Sequence, residues 1–175
     1  RSALTFMEQL MPALQELNAE KGNPDALLSY FSLDMLDQCS LDASVMVRKA
    51  AISAVEALLT LMPMNPKVHR AWICCVLPAA VDCEQGVAEK ALTLIESTVV
   101  RGISNWAAQV NRMTKTQRKK GIDFFKNEVF MLLSNELRDE NMEYLARALR
   151  LIAKQNGGKL PAAFTNALNL VLECC

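Results

Sequence analysis

LDASVMVRKAAISAVEALL, residues 41–59, decides how the rest of the chain reads. Asp42 stands five residues before Val47, and Val47, Ala51, Val55, Leu58 and Met62 then recur at i, i+4, i+8, i+11 and i+15. That spacing draws one apolar stripe down a helix. The aspartate falls in the turn before it, where a short carboxylate can accept hydrogen bonds from exposed backbone N–H groups.

VDCEQGVAEKALTLIESTV, residues 81–99, repeats the plan with Asp82, Val87, Ala91, Ile95 and Thr98. Ala3, followed by Met7 and Glu8, aligns as an earlier copy. Ala148, followed by Ile152 and preceded at nine residues by Asp139, aligns as a later one. The alanines are 48, 40 and 57 residues apart, and the middle separation is the period of paired-helix repeats. Each copy reads as the second helix of a hairpin, with a small residue where its partner helix must come close.

The first helices lie upstream of each copy. PDALLSYFSLDMLDQC (24–39) presents Leu27, Leu28, Phe31, Met35 and Cys39 on one face. PKVHRAWICCVLPAAV (66–81) presents Val68, Trp72, Cys75, Val76 and Ala79, with Pro78 set to kink it near its end. IDFFKNEVFMLLSNEL (122–137) presents Ile122, Phe125, Val129, Leu132, Leu133 and Leu137. After the last copy Gly157-Gly158 stops the helix, and LPAAFTNALNLVLECC (160–175) begins another near Pro161, with Phe164, Leu168 and Val171 on a face. The expected architecture is an all-α solenoid of about four antiparallel helix pairs, one array over residues 1–175, incomplete at both ends. No repeat of this kind buries its apolar face alone; its neighbours complete the core.

Composition agrees. Half the residues are hydrophobic, few are aromatic, and Gly and Pro number six each, a mixture suited to packed helices. No apolar run reaches the roughly 18 residues that span a bilayer. The six cysteines (Cys39, Cys74, Cys75, Cys83, Cys174 and Cys175) lie on or beside apolar helical faces. Without a CxxC and with His69 the lone histidine, they read as buried free thiols rather than a zinc site or a disulfide framework. Catalysis has little to stand on: His69 has no Cys or Ser in a catalytic arrangement, and no Gly-rich loop cradles a phosphate. The chain is expected to be no enzyme and to take no cofactor, metal, small-molecule substrate or membrane.

The D-x4-V-R-x2-A-x3-[V/L]-x2-L pattern, complete in residues 42–58, resembles the HEAT-repeat signature. A closer resemblance runs over about residues 36–98. Asp37-Gln38-Cys39, Val47-Arg48-Lys49, Ala71-Trp72, Pro78, Val81-Asp82-Cys83-Glu84 and Glu89-Lys90-Ala91-Leu92 are similar to the middle of the HEAT-repeat, non-SMC subunits of the D-three type in condensin II. Pro161-x-x-Phe164-x-Asn166 is a weaker echo. The resemblance implies a non-enzymatic scaffold in the nucleus, on chromosomes. It implies binding to the kleisin subunit, through it to the SMC ATPases, and to double-stranded DNA during mitotic condensation. A nuclear transport receptor or a phosphatase scaffold is the alternative built on the same repeat. The valine-arginine pair becomes Val87-Ala88 and Tyr144-Leu145 in later copies, so the pattern does not run unbroken along the chain.

Charge singles out one further stretch. The net charge is zero, yet between Glu96 and Asp123 there is no acid and there are six bases: Arg101, Arg112, Lys115, Arg118, Lys119 and Lys120. Residues 101–120 therefore read as a basic insert between repeats. Trp106, Val110 and Met113 suggest a short amphipathic helix, with the basic tail as its exposed end or a loop. Arg112, Lys115, Arg118, Lys119 and Lys120 are candidate phosphate contacts, as are Lys49 and Lys90; a solvated surface is the plainer account of each. No base-reading motif accompanies them, so any DNA contact would be insensitive to sequence. Arg48 either meets phosphate or bonds within the turn region, to Asp42 or to an aspartate of the adjoining repeat. Trp72 reads as core, while Trp106 is either core or an anchor for a partner.

Overall fold

The computed structural model describes residues 3–20, 31–124 and 139–172. Among these, the regular elements are all helices: α1 (Ala3–Glu20), α2 (Asp34–Ser40), α3 (Val45–Leu61), α4 (Pro66–Ala79), α5 (Gln85–Ile95), a π-helical segment (Glu96–Arg101), α6 (Gly102–Arg112), α7 (Lys115–Phe124), α8 (Asp139–Gln155) and α9 (Ala162–Leu172). Contacts divide the chain into two compact units, residues 1–91 and 92–175, with the boundary inside α5.

In the first unit α3 packs against α1, α2 and α4, and α2 packs against α1 and α4. The stripe on α3 is the reason. Ala51, Val55 and Leu58 are fully buried, and Val47 and Met62 nearly so. Val68, Trp72, Cys75, Val76 and Ala79 of α4 are buried as their spacing predicts. Asn65 caps α4, its side chain accepting from the Lys67 backbone N–H at 3.0 Å, and Pro66 follows at the first helical position, where its missing N–H costs nothing. The helix stops one residue after Pro78.

The turns before α3 and α5 are built alike. Asp42 Oδ1 accepts from the Ser44 N–H at 2.8 Å, and Asp82 Oδ1 accepts from the Glu84 N–H at 2.8 Å. Val87, Ala91 and Ile95 are then fully buried, like their counterparts on α3, and so are Ala148 and Ile152 on α8. The first copy differs: α1 buries Phe6, Leu10 and Leu14, while Ala3 is half-buried. The last differs too. Asp139 is itself helical, the first described residue of α8.

The helix predicted from Pro24 is helical in its described part only from Asp34; Phe31 lies outside it, edge-on to the Phe6 ring at 5.9 Å. Leu27 and Leu28 lie outside the described residues, as does most of the helix predicted over 122–137. Beyond α5 the second copy runs on through the π-helical segment directly into α6. There the Ser97 hydroxyl donates to the Leu94 carbonyl at 2.9 Å and the Thr98 hydroxyl to the same oxygen at 2.7 Å. Such back-bonding hydroxyls compete with the helical ladder and accompany its widening.

The basic tail is a helix, neither a loop nor the frayed end of α6. Met113 breaks from α6 in extended conformation, and α7 starts at Lys115. Gln117 Oε1 accepts from both the N–H (3.3 Å) and the hydroxyl (2.9 Å) of Thr114, the back-bond of a capping box in T-K-T-Q. In the second unit α6 packs against the π-helical segment, α7 and α9. Ala107, Val110 and Ala167 form a small core, with Ile103, Trp106 and Ile122 packed on it.

Candidate functional site

Two groups of charged side chains stand out, one in each unit. The first is built on the repeated turn. Arg48 leaves the first turn of α3 and lays its guanidinium on Asp82, with Nε at 2.8 Å from Oδ2 and Nη2 at 3.1 Å from Oδ1. Its Nη1 donates to the backbone carbonyls of Asp42 at 2.8 Å and Ala43 at 3.2 Å. One arginine thus holds the turn ahead of its own helix and the turn ahead of the next. Both side chains of the pair are about one-tenth exposed, at 12% and 11%. Burial pushes the Asp82 carboxyl up, but the hydrogen bonds from Arg48 and the Glu84 N–H outweigh it and leave the group below the ordinary aspartate value. The fork-on-carboxylate geometry is the stronger kind of ion pair. Arg48 thus bonds within the turn region, to the backbone at Asp42 and to the carboxylate of Asp82.

Lys49 and Lys90 flank this clasp, both half-buried. Lys49 runs across the first turn of α5, its Nζ 2.5 Å from where a Cβ on Gly86 would stand. Gly86 is what lets it lie there. Lys90 Nζ donates to the Ser53 hydroxyl on α3. Both cations serve the seam between α3 and α5 while keeping part of their surface in solvent.

The second group is the cationic helix. Every residue from Asn111 to Lys120 is exposed, including Arg112, Lys115, Arg118, Lys119 and Lys120. Arg101 stands apart, paired with Glu96 at 3.5 Å. The helix is anchored where Ile122 packs on the small core and Gly121 passes close to Val110 and Met113. Thr114-Gln117 was the sequence signal for this helix, and hydrophobic periodicity missed it because the segment's outer turns carry no apolar stripe.

The remaining candidates are structural. Cys39 and Cys75 are buried, and burial pushes both thiols up, away from the reactive thiolate. Cys75 donates to Asp37 Oδ1 at 3.3 Å. Cys74 is half-buried and Cys83 exposed, so burial does not extend to every described thiol. The His69 ring is buried and donates through Nε2 to the Pro63 carbonyl at 2.5 Å. Trp72 is core, and Trp106 packs on the small core of the second unit. Among the described residues no cluster of His, Cys, Asp and Glu could hold a metal ion, and no helix is long and apolar enough to cross a membrane.

No family model matches the chain, and no solved structure matches it. A curated relative does. Over 120 residues, 69% of this chain, the sequence is 28% identical to the condensin-2 complex subunit D3-L of Xenopus laevis. The matched part is 7% of that relative's length. The match supports a distant relationship to condensin II subunits of the D3 type.

Proposed function

We propose that the chain is a segment of a non-catalytic HEAT-repeat scaffold in a condensin II-type complex, acting on nuclear chromosomes. In this reading it docks the kleisin subunit, and through it the SMC ATPases, and it touches double-stranded DNA through the cationic helix. The observation that carries the scaffold reading is the repeated turn: Asp42 and Asp82 do the same local work, and Arg48 ties one turn to the next. Side chains spent on stacking one helix pair against its neighbour are what an extended binding surface requires. The relationship to the D3-type subunit supports the choice of complex. The work done is by shape and charge, with no bond made or broken.

DNA contact would rest on Arg112, Lys115, Arg118, Lys119 and Lys120, with Lys49 and Lys90 as secondary contacts in the other unit. Cations of this kind gain affinity by releasing counterions condensed on the phosphates, which makes binding salt-dependent and indifferent to base sequence. The test is co-purification of the chain with kleisin and SMC subunits, alongside duplex binding by the same preparation. Recovery of the complex and salt-sensitive binding support the reading. A folded chain that recovers neither, and instead captures transport or phosphatase partners, would replace it with the other HEAT scaffolds.

A further inference from the structure

The cationic helix is built against its own charge. Lys115 sits at its first position and Arg118 one turn on, at the end where the helix dipole is itself positive and cations are disfavoured. No acid occupies its first turn. Lys115 faces Arg118 at i+3 and Lys119 at i+4, and like charges at those spacings oppose the helix. Gly121 lies inside it, a residue of low helix propensity. Among the described residues the helix is held by the Gln117 side chain's bonds from Thr114 and by Ile122 on the small core.

We propose that this helix is a charge-loaded element whose ordering is coupled to a polyanion, the phosphate backbone of duplex nucleic acid. The inference rests on the DNA reading above and adds its regulation. Phosphates laid along Lys115, Arg118, Lys119 and Lys120 cancel the repulsion that opposes the helix. Binding therefore draws the segment from a partly open state into the closed helix. Salt does the same more weakly by screening, so ionic strength has two opposed effects: it orders the free helix and loosens the complex.

The experiment is backbone amide hydrogen exchange over residues 116–123 of the 175-residue chain. It is run at low and moderate salt, with and without a mixed-sequence duplex. Two like-charge pairs predict a roughly two- to five-fold slowing of exchange when salt is raised without DNA, and a larger slowing with DNA. Replacing both partners of one pair (Lys115→Gln with Lys119→Gln) should slow exchange at low salt and abolish the salt response. Should that variant misfold, the salt titration of the parent chain carries the test alone. Exchange that ignores both salt and duplex, while Lys115→Glu with Lys119→Glu still weakens DNA binding, shows a preformed helix and overturns the coupling but leaves the DNA reading standing. A salt response with no DNA binding overturns the DNA reading, and with it the choice of polyanion.

Discussion

Ala51 shows most plainly what a single position does. It is fully buried where α3 meets its neighbours, with no room or partner for a charge. Ala51→Asp is expected to cost several kcal/mol, on the order of the penalty for burying an unpaired carboxylate, read by urea denaturation. Met46→Asp, on the 74%-exposed side of the same helix, should stay within about 0.5 kcal/mol. Equal losses would mean the helix face is misassigned. Two aspartates of the first unit respond to acid in opposite senses. Asp82 is held below its ordinary value, so its contribution is complete above the unfolded aspartate pKa and is lost as pH falls through the folded one. Asp37 is pushed up by burial, which outweighs its bond from Cys75, so ionising it opposes folding. Asp82→Asn should therefore flatten the acid-side loss of stability. Asp37→Asn, which keeps an acceptor for the Cys75 thiol, should raise stability at neutral pH. A steeper acid transition in the first or a loss at neutral pH in the second would reverse the assignments.

At the scale of elements, the glycine in the first turn of α5 sets up a contest between propensity and space. A Cβ at Gly86 would meet only the tip of Lys49, which can swing into solvent. Gly86→Ala should then gain up to about 1 kcal/mol from helix propensity, and a loss in thermal melting would mean Lys49 cannot move. Thr114→Ala should cost on the order of 1 kcal/mol locally and speed amide exchange in α7 without changing the first unit. These elements also show what was legible in the sequence and what was not. The α3 stripe, the Asp turns and the apolar face of α4 were readable, because periodicity and Asx chemistry are local signals that tertiary contacts here reinforce. The break in helix at Phe31 was not, because the Phe31–Phe6 contact joins residues far apart in sequence. The π-helical segment was not, because its only local mark is the Ser97-Thr98 pair, whose hydroxyls serve equally well in an ordinary helix. Of the candidate site residues, exposure of the five insert cations could be anticipated from charge, whereas Arg48 offered two readings until the position of Asp82 was known.

At the scale of the whole molecule, the scaffold proposed above needs one helix pair tied to the next, and the Arg48–Asp82 bond is the candidate tie. The bond joins residues 34 apart in sequence and belongs to neither helix pair alone. In an array whose stability is a sum of repeats and their interfaces, such a tie appears as coupling between repeats. The most direct measurement is a double-mutant cycle in urea with Arg48→Ala, Asp82→Ala and the pair. The two single changes should each destabilise, and the second should cost much less once the first is made, because the partner it would strand is already gone. Strictly additive losses would contradict the tie and, with it, the reading of these helices as stacked repeats.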